Sequence, residues 1–340
     1  MMTVLITGGL GYIGSNVALS FLEAGQCVVV VDNLENSYRE RYNQIIELAP
    51  VNSNITLYEV DYGDLNKIKK VFEVHSPDIV VHLAAYKSIS DSIMSPLKYY
   101  DNNVSKLIQL LQLCSSFSVS KFIFSSSASV YCCCGAKPLV ETSLAGCDLT
   151  NPYAQSKYVG EMIATDFVKA HKSFSLVILR YFNPVGAHPS GKLGDDISDA
   201  PNVMPSILRS VVTNKGEFSI YGNDHDTFDG TAIRDYIHVR DLAYAHVSAW
   251  RFLNTATSQV NEIFNVGTGK GYSVMQLVKA MAKISVAIPF SIKPRRSGDL
   301  SCVVCNCDKA ARMLGWKASR SLEEMCTDAL SNARLEKRNC

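Results

Sequence analysis

Tyr153 and Lys157 are the two side chains of this sequence whose spacing best suits proton transfer. They lie four residues apart in the run from Asn151 to Lys157, so on a helix both would lie on one face. A lysine ammonium next to a phenol favours the phenolate and lowers the pKa of the tyrosine, which is about 10 when free. The pair therefore predicts a proton acceptor for neutral pH, although chance gives the same spacing on many solvated helix faces.

A serine-rich run, Ser125 to Tyr131, supplies a second group that could take part in proton transfer. It follows a predicted strand, and the carboxyl end of a strand in a parallel sheet opens on the cofactor crevice. A hydroxyl there, close in space to Tyr153, could hydrogen-bond a substrate oxygen as its proton moves. An ordinary turn is the alternative interpretation of such a run when it stands alone.

Three glycines, Gly8, Gly11 and Gly14, stand between a predicted strand and a predicted helix. Glycine permits the tight turn and lets main chain approach a pyrophosphate, whose negative charge then faces the helix N-terminus. Asp32 ends the next predicted strand, where a carboxylate accepts hydrogen bonds from ribose hydroxyls and repels a 2′-phosphate. The pattern predicts a dinucleotide site that binds NAD rather than NADP.

Predicted strands and helices alternate along the first half of the chain, which is typical of a parallel, doubly wound α/β sheet. The predicted strands are 3–7, 27–31, 56–60, 79–83, 121–125 and 176–179, and the helices include 15–24, 67–74, 102–117 and 153–172. After about residue 185 loop-forming residues become frequent, and apolar fragments at 263–266 and 277–281 indicate a mixed lobe. We therefore expect a Rossmann-type NAD-binding domain over 1–185 and a smaller, mixed α/β substrate-binding lobe over 186–340.

Composition restricts the class of partner. The chain has 340 residues, a net charge of +1, 47% hydrophobic and 19% charged residues, which is globular and offers no basic field for nucleic acid or a membrane surface. We find no secretion signal or membrane span, so we expect a cytoplasmic protein whose 11 cysteines are reduced. Cys302, Cys305 and Cys307 resemble half of a metal-binding knuckle without its second half, so no metal is expected.

The order of these motifs resembles that of the extended short-chain dehydrogenase/reductase superfamily. The glycine loop, the serine run and the Tyr-x-x-x-Lys segment carry this likeness, at 7–15, 125–131 and 151–157. Nearly the whole chain further resembles the UDP-glucose 4-epimerase family, through the segments 32–33, 82–87, 99–103, 180–187, 234–239 and 295–299. The resemblance implies an NAD-dependent isomerase that acts on a UDP-sugar.

The resemblance also implies roles for individual residues. Tyr153 matches the base that takes the proton of the sugar 4-hydroxyl, Lys157 tunes it and contacts the nicotinamide ribose, and Ser127 shares the proton path. The implied NAD contacts are Gly8, Gly11, Tyr12, Ile13, Gly14, Asp32, Asn33, Asn36, Ser37, Asp61, Tyr62, Leu83, Ala84, Lys87, Asn102, Ser125, Tyr153, Lys157 and Tyr181. The implied UDP-sugar contacts are Lys87, Ser127, Tyr153, Phe182, Asn183, Asn202, Val203, Tyr221, Arg234, Arg296, Asp299 and Val303.

The reaction that the resemblance implies causes no net oxidation. Tyr153 removes the 4-hydroxyl proton as hydride passes from sugar C4 to NAD⁺, and the 4-keto sugar then turns about its diphosphate link and takes the hydride back on its other face. NAD stays bound through turnover, while the arginines suit a diphosphate because a guanidinium is planar and remains charged. The implied function is interconversion of UDP-galactose and UDP-glucose.

Val303 extends the implied substrate range. It falls where family members carry either a tyrosine or a small residue beside hexose C2, and a small side chain leaves room for an N-acetyl group. We therefore expect UDP-GalNAc and UDP-GlcNAc to be interconverted as well. An epimerase of a UDP-pentose or UDP-hexuronate is the nearest alternative, and a nucleotide-sugar 4,6-dehydratase or a non-catalytic NAD-sensing protein are more distant ones.

Two residues depart from the family pattern near these motifs. Cys132 replaces a usual glycine, and the run from Cys132 to Cys134 could alter its loop or sensitise it to oxidants. Asn16 replaces a common histidine beyond the pyrophosphate turn, where we expect little consequence.

A homodimer is the expected assembly. Family members pair two long helices, here 102–117 and 153–172, across a two-fold axis. Leu107, Leu110, Leu111 and Cys114 offer an apolar face for such a contact, and the alternative is that they only cover the sheet.

Overall fold

The first half of the chain alternates strands and helices, as predicted. The computed structural model describes residues 1–132, 138–198, 202–213, 217–285, 288–296 and 298–339. Its first elements are β1 (Thr3–Thr7), α1 (Tyr12–Glu23), β2 (Cys27–Asp32), α2 (Glu40–Leu48), β3 (Ile55–Glu59), α3 (Leu65–His75), β4 (Ile79–His82), α4 (Ile89–Met94) and α5 (Pro96–Tyr100). Next come a π-helical turn (Asp101–Ser105), α6 (Lys106–Ser116), β5 (Lys121–Ser127), a 3₁₀ turn (Ala128–Val130), α7 (Pro152–Ala170) and β6 (Ser175–Tyr181).

The second half contains shorter strands and a different order of elements. It comprises β7 (Asn183–Val185), α8 (Val203–Thr213), β8 (Phe218–Tyr221), β9 (Ile233–His238), α9 (Val239–Thr255), β10 (Asn261–Val266), β11 (Gly271–Ser273), α10 (Val274–Ile284), β12 (Phe290–Lys293), β13 (Cys302–Val303), α11 (Asp308–Leu314) and α12 (Leu322–Asn339).

The principal sheet has seven parallel strands in the order β10-β6-β5-β4-β1-β2-β3. The chain moves outward from β1 through β2 to β3 and then returns to the other side of β1 as β4, so the order reverses between β1 and β4. A doubly wound sheet binds its ligand outside the carboxyl ends of the strands at such a reversal. The predicted α/β Rossmann class is confirmed.

Apolar side chains cover both faces of this sheet. Val4 and Ile6 of β1 belong to one buried cluster and Leu5 to the opposite one, because successive strand residues point to opposite faces. Helices α1 and α9 cover one face and α3, α6 and α7 the other, which explains the continuous apolar runs of these strands.

The apolar stripe of α6 lies in this core. Leu107, Leu110, Leu111 and Cys114 are each at most 1% exposed and pack with phenylalanines of β5. The expectation that they form a dimer contact is therefore wrong, since the same periodicity is satisfied by the sheet beneath them.

The predicted helix 102–117 differs from the structure at its N-terminal end. Helix α5 precedes it, and the π-helical turn joins α5 to α6. The buried amide of Asn103 accepts from Tyr86 N at 3.0 Å and donates to Tyr86 O at 3.1 Å and to the Ser156 hydroxyl at 3.0 Å. These contacts tie the turn to the loop after β4 and to α7, and π-turns of this kind are frequent at functional sites.

The second lobe has its own core, formed by α8, α10, α12 and β8. One strand that we assigned to it lies elsewhere: β10, which contains residues 263–266, pairs with β6 at the edge of the principal sheet. Its alternation buries Phe264 and Val266 beside α9, which packs on α1. The domain boundary between residues 185 and 186 stays a prediction, with the change that β10 belongs to the sheet of the first domain.

No helix within the described ranges is both long and apolar enough to cross a bilayer. The cysteines in those ranges are free thiols, and no group of three or more histidine, cysteine or acidic side chains there could hold a metal ion. Cys133 and Cys134, on which part of the oxidation hypothesis depends, lie outside the described residues.

Candidate active site

The glycine loop between β1 and α1 forms a cradle of bare main chain. Gly8 has φ +71°, and a Cβ on it would lie 2.8 Å from the main chain of Ala84. A Cβ on Gly14 would lie 2.0 Å from Gly8 O, so helix α1 could not pack so closely with any other residue there. Gly11 precedes α1 with no capping side chain, which leaves the first amides of the helix facing the cleft. This arrangement fits the pyrophosphate of a dinucleotide.

A cleft with about 560 Å³ of empty space, its open mouth included, lies at the point where the strand order reverses. Ten of the predicted cofactor residues line it: Gly8, Gly11, Asp32, Asn33, Asn36, Ser37, Tyr62, Leu83, Ala84 and Asn102. Its other lining residues, which sequence reasoning missed, are Val31, Glu35, Val60, Ala85 and Tyr86. Each of these stands within two positions of a predicted contact, and that proximity was the available signal.

Asp32 is held in place at the tip of β2. Its carboxylate accepts hydrogen bonds from Leu10 N at 2.9 Å and from the Ser37 hydroxyl at 2.7 Å, and the residue is only 7% exposed. An oriented carboxylate in the cleft wall suits the two hydroxyls of an adenosine ribose and disfavours a 2′-phosphate.

Asp61 lies between two residues of the cleft wall, Val60 and Tyr62, and is held by hydrogen bonds from three neighbours. Burial raises the pKa of its carboxyl, but hydrogen bonds from Lys106 at 2.9 and 3.0 Å and from Gly63 N at 2.7 Å outweigh this and lower the pKa. Asn33 donates to the same carboxylate at 3.1 Å. Sequence reasoning missed Lys106, because its contact with Asp61 joins residues that are 45 positions apart in the chain.

Lys87 lies away from the cleft wall. Its ammonium is 3.6 Å from the carboxylate of Asp195 and 5.9 Å from the centre of the Tyr12 ring, and its side chain is 58% exposed. Tyr12 donates to Gly186 O at 2.7 Å and so ties α1 to the start of the second lobe. The structure therefore puts Lys87 where the two lobes meet, and its predicted contacts with NAD and sugar stay predictions.

Helix α7 brings Tyr153 to the end of β5. Asn151 caps the helix by accepting from Ala154 N at 2.9 Å, and Pro152 occupies its first turn, where a missing amide hydrogen does no harm. The hydroxyls of Tyr153 and Ser127 are close enough to interact, and Ser127 also accepts from the Ser129 hydroxyl at 2.9 Å. The predicted proximity of the tyrosine and the serine is confirmed.

The electrostatics of the pair differ from our expectation. Burial raises the pKa of Tyr153 more than the Ser127 hydrogen bond lowers it. Burial also lowers the pKa of Lys157 to about 7, and its ammonium donates to Ser125 O at 2.8 Å and to the Ser125 hydroxyl at 3.3 Å. The lysine is thus tied to the strand with its charge disfavoured by burial, and the pKa of Tyr153 is raised where we expected it to be lowered. A cationic nicotinamide beside the phenol would oppose the effect of burial.

The remaining predicted nicotinamide contact, Tyr181, lies beside Tyr153 at the end of β6. Its hydroxyl is hydrogen-bonded to His246 Nε2 at 2.5 Å, and both side chains are buried. Burial raises the pKa of Tyr181 well above its usual range, and the neighbouring Tyr153 adds to that effect. Tyr181 therefore contributes a neutral wall rather than a second base.

The predicted diphosphate residues gather on the second lobe. Arg234 on β9 pairs with Asp299 at 2.5 Å and donates to Leu300 O at 2.7 Å. The guanidinium of Arg296 lies 3.9 Å from the centre of the Tyr221 ring, a stacking contact that holds both side chains although they are exposed. Two guanidinium groups and an aromatic ring on one surface suit a nucleoside diphosphate.

The other predicted UDP-sugar residues include members of the strands paired with β9 and of the start of α8. Val303 on β13 pairs in register with Arg234 and packs in a small cluster that contains Tyr131 and Phe182. Asn183 on β7 lies opposite Tyr236 of β9, on the same small sheet. Two further predicted contacts, at the start of α8, are less enclosed: Asn202, which is exposed, and Val203, which is half-buried.

Comparison with known proteins identifies the family. The model of the NAD dependent epimerase/dehydratase family matches residues 4–267. A UDP-glucose 4-epimerase from Caenorhabditis elegans is 42% identical over 335 residues, which cover 96% of each protein. The chain belongs to the UDP-glucose 4-epimerase family.

Solved structures of UDP-glucose 4-epimerases share the fold along the whole chain. The enzyme from Stenotrophomonas maltophila, crystallised with NAD and formylated UDP-arabinopyranose, is 37% identical, with a TM-score of 0.95 and 100% coverage of both chains. The enzyme from Bifidobacterium longum, in complex with NAD⁺ and UDP, is 38% identical, with a TM-score of 0.92 and 99% coverage of both. The predicted family, isomerase class and NAD cofactor are confirmed, and the roles of individual residues stay predictions.

The two departures from the UDP-glucose 4-epimerase pattern are accommodated locally. The buried thiol of Cys132 accepts from Cys147 N at 2.9 Å, and Tyr131 still pairs with Ala145 beside it. Asn16 donates to Tyr12 O at 3.0 Å and to Leu193 O at 2.7 Å. Neither side chain enters the cleft, which agrees with the small effect expected of Asn16.

Proposed function

We propose that this chain interconverts UDP-galactose and UDP-glucose by transient oxidation at sugar C4. The observation that carries the proposal is the proximity of the Tyr153 and Ser127 hydroxyls at the end of β5, one strand away from the cleft that fits NAD. A base, a hydroxyl relay and a dinucleotide site at one sheet edge are the parts that this reaction needs.

Proton transfer falls to the side chains at the end of β5. Tyr153 accepts the 4-hydroxyl proton through a contact shared with Ser127, and later returns it to the same oxygen. Lys157, held by Ser125, supplies positive charge one helical turn away when it is protonated. NAD, when bound, supplies the acceptor and later the donor of hydride.

Substrate anchoring falls to the second lobe. Arg234 and Arg296 would bind the diphosphate, and the ring of Tyr221 would lie beside the uridine. If most binding energy comes from the nucleotide, the hexose can turn and present either face of C4 without leaving the site.

The proposal includes the N-acetylated sugars. Val303 is half-buried in the cluster with Phe182 and Tyr131, and its short side chain leaves space that a tyrosine would fill. We infer that UDP-GalNAc and UDP-GlcNAc are also interconverted.

The test uses purified protein with no cofactor added. UDP-galactose, UDP-GalNAc and UDP-arabinose are incubated separately, and the products are resolved by anion-exchange chromatography. We expect UDP-glucose and UDP-GlcNAc from the first two, with protein-bound NAD recovered after denaturation. Turnover of UDP-arabinose alone would favour the UDP-pentose alternative, and a 4-keto-6-deoxy product would favour a dehydratase.

We further infer a homodimer and a cytoplasmic location. Helices α4, α5, α6 and α7 adjoin one another and expose large apolar side chains, namely Ile89, Ile93, Met94, Leu97, Ile108 and Met162. Met94 and Leu97 are 82% and 80% exposed, an arrangement typical of surfaces buried in an assembly. Light scattering should give twice the chain mass, and Leu97→Glu should halve it; cell fractionation tests the location.

A further inference from the structure

Three consecutive serines at the end of β5 contact three different residues of α7. Along Ser125–Ser127, the first accepts from Lys157 at 2.8 Å through its carbonyl and at 3.3 Å through its hydroxyl. The second donates to Glu161 Oε1 at 2.5 Å, and the hydroxyl of the third interacts with that of Tyr153. Tyr153, Lys157 and Glu161 are spaced by four, so they form one stripe along the helix.

Glu161 is the residue of this stripe that is held by the most hydrogen bonds to β5 and β6. Arg180 on β6 binds it in a bidentate pair, Nε to Oε1 at 2.9 Å and Nη2 to Oε2 at 2.6 Å. Both side chains are 4% exposed, and Arg180 lies opposite Ser126 in the pairing of β5 with β6. A buried, bidentate and fully hydrogen-bonded carboxylate has one geometry, so it fixes the position of α7 relative to both strands.

We propose that Glu161, together with Ser126 and Arg180, is a positioning residue that sets the register at which Tyr153 meets Ser127 and Lys157 meets Ser125. The proposal rests on the proposed function, whose proton transfer it serves. Glu161 acts through α7 without touching substrate or NAD. Small errors in the placement of a base have large effects on proton transfer, so a distant anchor can control the rate.

The same carboxylate influences the charge of Lys157. Glu161 on α7 and His82 on β4 interact with its ammonium electrostatically, and Arg180 on β6 pairs with Glu161. Burial lowers the pKa of Lys157 while Glu161 raises it, and burial with the nearby lysine lowers the pKa of His82 to about 3, so that His82 is neutral. Glu161→Gln removes the stabilising charge and leaves Arg180 unpaired, and both changes lower the pKa of Lys157 further. Activity that needs the ammonium is then lost at a lower pH.

The main test compares Glu161→Gln with Asp166→Asn. Both replace a carboxylate of α7 by its amide, but Asp166 is exposed and pairs with Lys169 at 2.9 Å. For Glu161→Gln we expect kcat for UDP-galactose to fall by roughly tenfold or more, while NAD remains bound. The alkaline limit of activity, which is the pH above which kcat falls, should move to lower pH. Asp166→Asn should resemble the unaltered protein. If activity falls only in proportion to the amount of folded protein, and the alkaline limit of activity does not move, Glu161 is merely structural.

Two further variants keep the test decisive if Glu161→Gln fails to fold. Glu161→Gln with Arg180→Met removes both buried charges and should restore folding, as measured by circular dichroism, while kcat stays low. Recovery of the original kcat and pH profile in that double variant would overturn the proposal. Ser126→Ala retains the ion pair between Glu161 and Arg180 and should lower kcat several-fold without moving the alkaline limit of activity. An unchanged kcat would show that Ser126 takes no part in the positioning.

A direct titration separates this proposal from the proposed function. If the unaltered protein converts no UDP-sugar, the proposed function fails, but the phenolate of Tyr153 can still be followed by ultraviolet difference absorbance against Tyr153→Phe. We expect Tyr153 to titrate at higher pH in the charge-balanced double variant, Glu161→Gln with Arg180→Met, than in Asp166→Asn, because loss of the register weakens the Ser127 contact that lowers the pKa of the phenol. Identical titrations in the two variants would overturn the positioning role.

Discussion

The end of β5 and the surface of the second lobe differ in how far their polar side chains are enclosed by the protein. At the end of β5, the three serines, Lys157 and Glu161 are each hydrogen-bonded within the protein, and Lys157 and Glu161 are 5% and 3% exposed. On the second lobe, Arg296 is exposed and Tyr221 is 38% exposed, with a stacking contact between them. Proton transfer requires fixed distances in a dry site, whereas capture of a nucleotide requires access from solvent.

Arg234 lies between these extremes. Its side chain is 17% exposed and is already paired with Asp299. It is therefore oriented by the protein yet reachable by a ligand. If the comparison reflects function, changes at the end of β5 should lower kcat, and changes on the exposed surface should raise KM. The rise in KM should be larger for a change at Arg234 than for one at Arg296.

The largest effect is expected at the tyrosine. Tyr153→Phe removes the proton acceptor without changing ring volume, so kcat should fall by about 10²- to 10⁴-fold while NAD stays bound. Turnover of UDP-galactose and the NAD content of the denatured protein measure the two quantities. Tyr158→Phe, on the same helix but against Gly146, serves as the control. Near-normal kcat in Tyr153→Phe would end the distinction between the two regions.

The enclosure of Lys157 should appear in the stability of the protein. Its pKa is about 7 when folded and 10.5 when free, so between these values the unfolded chain binds more protons and stability rises with pH. The contribution approaches about 1.4 kcal/mol per pH unit. Denaturant unfolding of the cofactor-free protein at several pH values in this window, with Lys157→Met for comparison, measures it. Parallel curves for the two proteins would show that burial leaves the lysine unaffected.

Sequence reasoning succeeded where chemistry depends on local spacing. The glycine loop, Asp32 at the end of β2, and Tyr153 with Lys157 on α7 are each fixed by a turn or a helical repeat that a short segment defines. It failed where the partner is remote. Glu161 was not recognised because its meaning comes from Arg180 on another strand, and β10 was misplaced because sheet membership is not a local property.

The apolar face of α6 shows a different limit of prediction from sequence. Periodicity correctly indicated that Leu107, Leu110, Leu111 and Cys114 are buried, but not that β5 rather than a second subunit buries them. The pKa values were missed for a related reason. A tyrosine and a lysine at helical spacing predict mutual stabilisation, and only the packed structure shows that burial outweighs it for Tyr153.

Arg234 and Arg296 provide a smaller test of the comparison. Arg234→Met should raise KM for UDP-galactose by roughly 10- to 100-fold, since an oriented charged hydrogen bond is lost, and Arg296→Met by no more than about tenfold because its charge is exposed. Steady-state kinetics at constant ionic strength measures both. Arg251→Met, at an exposed position of α9, is the matched control. Equal losses of kcat in place of a rise in KM would mean that the second lobe also orders the reacting atoms.

Val303 joins the two regions and gives the most selective effect. Its strand is paired with that of Arg234, while its side chain packs toward Phe182 and Tyr131 near the serine run. Val303→Tyr should lower kcat/KM for UDP-GalNAc by about tenfold or more relative to UDP-galactose, because the added ring fills the space beside hexose C2. Val303→Ala should retain both activities, and the two substrates in competition give the ratio directly. An equal loss of both activities would place the side chain in the general packing of the site, and then the choice of sugar would depend on other residues.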